Sequence, residues 1–206
     1  NLNNLATWNE TENLYNLQEI YSSFNYSSLV AEDTLNDKIL KVYQELSDLD
    51  KVFIINTLNF QYSKISANNQ PDYNYLQDIK KEEDLYSPYG INIVVDRNYL
   101  RRHEIKSVSQ ENVVDALDNN DNVLNLLVPQ KYKKFEENIK DSFKEWFYFQ
   151  KVEVTNIYRE ANNQKKIDLK IDDLNVNIIY VRNKQHYFTY NQYSGDSMNT
   201  IEDPII

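Results

Sequence analysis

The clearest pattern of hydrophobic and polar positions lies between residues 122 and 149 of this 206-residue chain. The residues from Val123 to Val128 form a largely apolar run of strand length, and Pro129 ends it. Proline is tolerated in the first turn of a helix, because the N–H that it lacks would have no partner there. Bulky apolar side chains then recur at steps of three or four residues, at Tyr132, Phe135, Ile139, Phe143 and Trp146. The pattern predicts a strand, a proline and a long helix whose apolar face is buried against a sheet.

The first part of the chain shows two further helical patterns. Apolar residues at helical spacing predict one helix within residues 9–24. A second helix is predicted from about Asn36 to Ser47, with Asp33 or Thr34 as its N-cap. Its predicted buried stripe consists of Leu35, Ile39, Val42, Tyr43 and Leu46. Residues 51–62 are rich in β-branched and aromatic side chains, which predicts a strand.

Residues 63–88 form the least regular stretch of the chain. They contain a turn at residues 68–72 and a charged run at residues 80–84, which is typical of a solvated loop or helix end. A loop of this length inside a compact domain is either functional or partly ordered. Residues 63–88 are therefore the first candidate for a moving or partner-binding element.

Short elements are predicted between this loop and the central unit. Residues 91–96 predict a strand that begins after a turn at Gly90. The S-x-x-Q sequence from Ser107 to Gln110 has the form of a capping box and predicts a short helix containing Val113, Val114 and Leu117. The polar residues from Asp118 to Asn122 then predict the turn that ends this helix.

After Phe149 the pattern changes to that of β structure. Apolar and polar residues alternate from Val152 to Tyr158 and again at Ile167, Leu169 and Ile171. Residues 176–181 are largely apolar, and residues 187–190 follow a turn. Together these segments predict antiparallel strands joined by hairpins.

The order of the elements predicts an α+β fold. It would contain N-terminal helices, a mixed or antiparallel sheet, C-terminal hairpins, and the 122–149 unit as a crossover on one face. We expect one domain over residues 1–206. It would divide into a helical and strand lobe at about 1–88, with its irregular loop, and an α+β lobe at about 89–206.

Composition restricts the classes of partner. The formal net charge is −10, whereas a nucleic-acid-binding protein needs clustered Lys and Arg. The best basic cluster, Lys131 to Lys134, is followed at once by Glu136 and Glu137, which favours pairing along a helix. The absence of cysteine excludes disulfides and thiolate zinc sites. The sequence contains no run of about 18 apolar residues, so it predicts no membrane span.

Candidate chemistry is scarce. The two histidines, His103 and His186, lack any metal-binding spacing, and we interpret both as ordinary structural or exposed residues. The run from Asp118 to Asn122 is no calcium loop, because Val123 and Pro129 stand where such a loop needs glycine and glutamate.

Nothing in the sequence singles out a catalytic group. Two glycines cannot supply a dinucleotide-binding loop, and no nucleophile motif is present. Carboxylates are plentiful, but none stands out as a pair. The 17 tyrosines could form a platform for a glycan or peptide, although core edges are their commoner use. We therefore predict no enzyme, no cofactor, and no catalytic, cofactor-binding or metal-binding residue.

Five segments, most of them in the second half of the chain, together carry a resemblance to a known protein family. They are YGINIVVDRNYLRRHEI, NVLNLLVPQKYKKFEENIK, FKEWFYFQKVEV, LNVNIIYVRNKQHYFTYN and the closing IEDPII. This set resembles the extracytoplasmic region of the bacteriocin-associated integral membrane proteins of Gram-positive bacteria. The resemblance covers residues 88–206 and extends only loosely to the first half. It agrees with the two ends of the chain, which predict a piece of a longer protein.

The resemblance implies a place and a role for the domain. The family is similar to ABC-transporter permeases, in which a large domain outside the cell follows a first membrane span. It implies a non-catalytic domain on the extracellular face of the cytoplasmic membrane, linked to export of, or immunity to, antimicrobial peptides. Its partners would be the membrane-embedded rest of its own chain, a separate cytoplasmic ATPase subunit, and a cationic peptide attracted by the acidic surface. The family has no catalytic motif that maps onto this chain.

Two other classes of function stay open at this point. The first is a secreted or surface module that binds a glycan or a peptide. The second is a hydrolase, which would require carboxylates or the two histidines to converge in one pocket with shifted pKa values.

Overall fold

A computed structural model describes residues 28–47, 52–57, 64–65, 71–72, 82, 86–90, 92–103, 105–190 and 200–206. The helices are α1 (Leu29–Ser47), α2 (Arg97–Arg102), α3 (Glu136–Tyr148) and α4 (Thr155–Ala161). The strands are β1 (Ile55–Asn56), β2 (Lys64–Ile65), β3 (Pro71–Asp72), β4 (Val94–Val95), β5 (Val123–Pro129), β6 (Asn175–Val181), β7 (His186–Phe188) and β8 (Thr200–Glu202). The mixture of helices and short sheets confirms the predicted α+β class.

The strands associate in pairs. Strands β1 and β4, β2 and β3, and β7 and β8 are antiparallel. Strands β5 and β6 are parallel over their whole length, from the pair Val123–Asn175 to the pair Pro129–Val181. An isolated parallel bridge also joins Asn92 to Ile205.

The central strand–proline–helix unit forms as predicted. Strand β5 runs through Pro129, a 3-10 helix follows at Gln130–Phe135, and α3 begins at Glu136. Because β6 returns parallel to β5, the helical segment between them is the expected crossover. The predicted apolar face is buried at Tyr132, Ile139 and Phe143, whereas Phe135 and Trp146 are half-buried.

Strand β5 is buried on both faces. Leu126 and Val128 pack with the apolar face of the helical segment and with Ile205. Leu127 points the other way, because side chains alternate along a strand, and it joins a second cluster with Tyr99, Leu100, Tyr187 and Ile201. The closing residues of the chain therefore belong to the core.

The strand predicted from Val152 to Tyr158 is wrong. The chain continues as helix from α3 through a π-helical turn, Phe149–Val154, into α4. Its main-chain groups are therefore satisfied along the helix axis, and only Val152 of this run is buried. The period-two pattern failed because the neighbours of α4 are helix α1 and an irregular segment rather than a strand.

The strand predicted at Ile167, Leu169 and Ile171 is also wrong. Residues 164–170 are irregular, and a 3-10 helix follows at Ile171–Asp173. The Asn156 side chain accepts a hydrogen bond from the Ile167 N–H at 2.7 Å and donates one to its C=O at 3.1 Å. One side-chain amide thus takes the place of a strand partner.

The set of C-terminal hairpins is corrected in part. The antiparallel pair of β7 and β8 is present, but β6 pairs in parallel with β5 instead of antiparallel with its successor. The long helical crossover brings β6 back in the same direction as β5, and a parallel partner needs such a connection.

Helix α1 begins earlier than predicted. It starts at Leu29, because the Ser28 side chain accepts a hydrogen bond from the Ala31 N–H at 3.2 Å and acts as the cap in place of Asp33 or Thr34. Of the predicted stripe, Leu35 is buried, Val42 is exposed, and Ile39, Tyr43 and Leu46 are half-buried.

The predicted capping box at Ser107–Gln110 is wrong, although the short helix exists. The helix is a 3-10 turn at Val113–Ala116, and its cap is Asn112, whose side chain accepts from the Val114 N–H at 3.0 Å. Ser107 instead pairs with Val181 in an isolated antiparallel bridge.

Other predictions are tested only where residues are described. The strand predicted at 51–62 is present at Ile55–Asn56, and the strand predicted at 91–96 is present at Val94–Val95. The helix predicted within 9–24 and most of the loop at 63–88 lie outside the described residues.

Candidate functional site

The two histidines have different surroundings. His103 caps the end of α2, is half-buried, and lies with its ring centroid 4.3 Å from that of Tyr99. Its Nε2 is 3.1 Å from the hydroxyl of Tyr190. His186 is exposed on β7, with Nε2 3.3 Å from a carboxylate oxygen of Glu202. His103 thus contacts two tyrosines, and His186 contacts a carboxylate on the neighbouring strand.

His103 belongs to an aromatic cluster formed by Phe53, Tyr99, His103, Phe188 and Tyr190. The Tyr99 hydroxyl donates a hydrogen bond to the main-chain oxygen of Phe188 at 2.9 Å. Burial raises the pKa of Tyr99 well above its ordinary value, so this hydroxyl keeps its proton at any physiological pH. The cluster joins the segment before β1 to α2 and to the end of β7.

A buried carboxylate ties the closing segment to the central unit. Asp203 is only 2% exposed and accepts hydrogen bonds from Lys131 Nζ at 2.8 Å and from the Gln185 N–H at 3.0 Å. Burial by itself raises the pKa of Asp203, but these bonds and one from the Lys184 main chain outweigh it, and the pKa lies below its ordinary value. This carboxylate therefore holds the closing segment against Lys131 and Gln185.

A second carboxylate connects the central helix to the sheet. Glu136 accepts a hydrogen bond from the Tyr180 hydroxyl at 2.7 Å and forms an ion pair with Lys140 one turn along α3. Burial, followed by the bond to Glu136, raises the pKa of Tyr180 far above its ordinary value. The pair fixes the start of α3 over strand β6.

A third carboxylate connects α1 to α2. Asp96 caps α2 by accepting from the Tyr99 N–H at 2.9 Å, and its other oxygen accepts from the Tyr43 hydroxyl at 2.7 Å. Burial and the hydrogen bond to Asp96 raise the pKa of Tyr43 to about 12. At its other end, α1 is held by Asp33, which accepts from Asn162 Nδ2 at 2.7 Å.

In the polar turn before β5, side-chain oxygens accept hydrogen bonds from N–H groups of the same turn. Asp118 accepts from the Asn120 N–H at 2.8 Å, and Asn120 accepts from the Asn122 N–H at 2.9 Å. These bonds make successive Asx turns, as the predicted helix-ending turn requires. Among the described residues, no group of His, Asp and Glu is arranged to hold a metal ion.

Two clefts lie beside β5 and β6. One, of about 340 Å³, lies between β4, α2 and the first half of β5, and Leu100, Leu117 and Leu124 contribute to its walls. The other, of about 300 Å³, lies between α3 and the start of β6 and is lined by Glu137, Lys140, Asp141, Lys144, Asn175 and Val176. Sequence patterns did not indicate the first cleft, because its walls come from four separate segments, each of which looked like ordinary core.

Within the described ranges, no helix is both long and apolar enough to cross a bilayer. Comparison with protein-family models, with curated proteins and with solved structures finds no match for this chain.

Proposed function

We propose that this chain is the non-catalytic extracellular domain of an ABC-permease-like membrane protein linked to the export of, or immunity to, antimicrobial peptides. The observation that carries the proposal is that the buried and half-buried carboxylates are engaged in hydrogen bonds between segments of the fold. Asp203, Asp96 and Glu136 each join two separate segments, and each is occupied by donors from both. Such groups stiffen a binding and coupling domain, whereas a catalytic acid or base needs access to a substrate.

The resemblance to the bacteriocin-associated family supports the same proposal. The sequence segments that carry the resemblance include β5, α3, β6 and the closing residues. These elements contribute to the core on both faces of β5. The closing residue Ile206 exchanges two main-chain hydrogen bonds with Leu127 of β5. A pull on this segment would therefore act directly on the central strand, as a coupling domain requires.

The partners follow from charge and from the family. With a net charge of −10, the domain attracts cationic peptides, and this attraction weakens as salt screens it. The membrane-embedded rest of the chain and a separate cytoplasmic ATPase subunit would complete the assembly.

The location can be tested by cysteine labelling in intact cells, since the chain has no cysteine of its own. Val30→Cys in the complete gene product places a thiol on α1, where the native side chain is 41% exposed. We expect it to react with a membrane-impermeant maleimide before the cells are opened. Val128→Cys, at a fully buried position, is the matched control and should stay unlabelled.

The outcomes of this experiment separate the classes of protein. Labelling that requires permeabilised cells would contradict an extracellular domain. Recovery of the labelled chain in the medium, without membrane association, would favour a secreted binding module instead.

The peptide partner can be tested by titration calorimetry at low and at high salt. A cationic peptide should bind at low salt and lose affinity at high salt, and a neutral peptide of equal length is the control. Equal heats for both peptides at low salt would refute electrostatic recruitment.

A further inference from the structure

One side of the continuous helix formed by α3, the π-helical turn and α4 carries an exposed row of side chains. The row, which we call the acidic row, has members spaced four residues apart: Asp141, Glu145, Phe149, Glu153 and Ile157. All five are exposed, and Phe149 and Ile157 expose 41% and 50% of their surface. A single exposed apolar side chain is ordinary, whereas two of them placed among carboxylates along one helix form a surface that another molecule can contact.

The π-helical turn, Phe149–Val154, keeps this row on one side of the helix. An α-helix has about 3.6 residues per turn, so each step of four residues rotates the side chain about 40° too far. A π-helical turn has i→i+5 hydrogen bonds and more residues per turn, so a step of four falls short and brings the row back toward its first direction. Such turns inside α-helices are frequently found at functional sites.

The three carboxylates of the row differ from other acids of the same helix. Glu136 forms an ion pair with Lys140, and Glu160 forms one with Lys166 at 2.7 Å. The three carboxylates of the row form no ion pair with any residue that the structure describes. Two of them stand one helical turn apart, where like charges repel each other. A cationic partner would remove this repulsion.

Charge and spacing together select the kind of partner. A second copy of the chain would present the same carboxylates, and a nucleic acid or an anionic lipid surface would present phosphates, so the row repels each of these. Phe149 and Ile157 lie eight residues apart, which is about 12 Å along a helix. Side chains seven or eight residues apart on another α-helix share one face at about this distance. The row therefore fits the apolar face of a cationic amphipathic helix.

We propose that the acidic row docks a cationic amphipathic helix. Its apolar side chains pack against Phe149 and Ile157, and its lysine or arginine side chains reach the three carboxylates. This arrangement is an apolar seam between two helices with charged pairs along its edges. Trp146, half-buried three residues before Phe149, extends the apolar surface. The identification of the helix as an antimicrobial peptide rests on the proposed function.

Titration of the 206-residue chain at low salt, followed by NMR, tests the proposal. The probe is a synthetic peptide of two Leu-Lys-Lys-Leu-Leu-Lys-Lys repeats, whose leucines lie on one helical face. The control peptide has the same composition in an order that spreads the leucines around the helix. Amide shifts should change along the acidic row, and the control peptide should bind about tenfold more weakly, because it buries fewer apolar groups. Equal affinities, or no binding at millimolar probe, would overturn the proposal.

Two charge-matched variants locate the site on the protein. Glu145→Gln combined with Glu153→Gln removes two carboxylates of the row and should weaken binding of the probe by about fivefold or more. Asp37→Asn combined with Glu45→Gln removes two exposed carboxylates at the same spacing on α1 and should leave the affinity within about twofold. Phe149→Ala should also weaken binding, and circular dichroism verifies the helices of each variant. Equal affinities for the two double variants would refute docking on the row.

A second copy of the chain is the alternative occupant. We expect the wild type and the Glu145→Gln, Glu153→Gln variant to sediment identically in the absence of peptide. Self-association that this variant abolishes would overturn the proposal.

The row and the proposed function can fail separately. If Val30→Cys is not labelled outside the cell while the row still binds the probe, the proposed function is refuted and the docking site stands. If Val30→Cys is labelled but the Glu145→Gln, Glu153→Gln variant binds the probe as well as the wild type does, the docking site is refuted and the proposed function stands.

Discussion

Helices α1 and α3 show the same helical periodicity and have different relations to the core. Helix α3, of 13 residues, buries Ile139 and Phe143 against β5, whereas α1, of 19 residues, buries only Leu35. Side-chain hydrogen bonds near its two ends connect α1 to α4 and to Asp96. The comparison teaches that periodicity predicts a helix, while the surface beneath it decides how much of the apolar stripe is buried.

The largest difference between the two helices should appear on truncation of their apolar side chains. Ile139→Ala removes a fully buried side chain and should lower the free energy of unfolding by about 2–5 kcal/mol. Leu40→Ala, at a position 51% exposed on α1, should change it by less than about 0.5 kcal/mol. Urea unfolding followed by circular dichroism measures both. Equal losses would show that α1 is packed as tightly as α3.

A smaller loss is expected at the tie between the closing segment and the central unit. Asp203→Asn keeps a residue that tolerates the local φ of 54° and removes the charge facing Lys131, at a cost of about 1–3 kcal/mol. The pKa of Asp203 is lowered on folding, so its contribution is complete above the ordinary value of 3.8 and is lost as pH falls through the folded value.

The stability difference between wild type and Asp203→Asn should therefore be full at neutral pH and shrink below about pH 4. Urea unfolding at a series of pH values measures it. Glu202→Gln, at the exposed neighbouring position, is the control and should show a much smaller difference. A difference that grows on acidification would contradict the assigned tie.

The smallest effect should be local to α1. Tyr43→Phe removes the hydroxyl that donates to Asp96 and should cost about 0.5–1.5 kcal/mol. Because α1 has little buried surface, we expect faster amide exchange along α1 and unchanged exchange in β5. Tyr148→Phe, at a half-buried position on α3, is the control and should leave exchange along α1 unchanged. Faster exchange in β5 would show that α1 is part of the main cooperative unit.

Sequence patterns predicted elements well where a residue's partners were regular and close along the chain. The bounded run of β5, the proline and the amphipathic stripe of α3 are each readable within a few turns. The run from Val152 to Tyr158 misled, because alternation also fits a helix that is partly covered. The two hydrogen bonds between the Asn156 side chain and the Ile167 main chain could not be predicted. A side-chain amide can bond to the main chain of any residue, so the sequence does not show which residue it contacts.

The cleft of about 340 Å³ shows most clearly why a site can escape sequence reasoning. Its lining comes from four segments that are distant along the chain and includes Val95, Leu117, Asn125 and Ile206. No side-chain motif marks these residues, so only their placement in the fold brings them together.

By itself, the sequence determined the α+β class and the strand–proline–helix unit, because these follow from composition and from short-range periodicity. Only the tertiary structure decided that β6 returns parallel to β5, that Asp203 contacts Lys131, and that a cleft of about 340 Å³ lies between β4, α2 and β5. Each of these is a contact between segments that are distant along the chain. Its free energy depends on the entropy lost in bringing the segments together and on the residues packed around the contact.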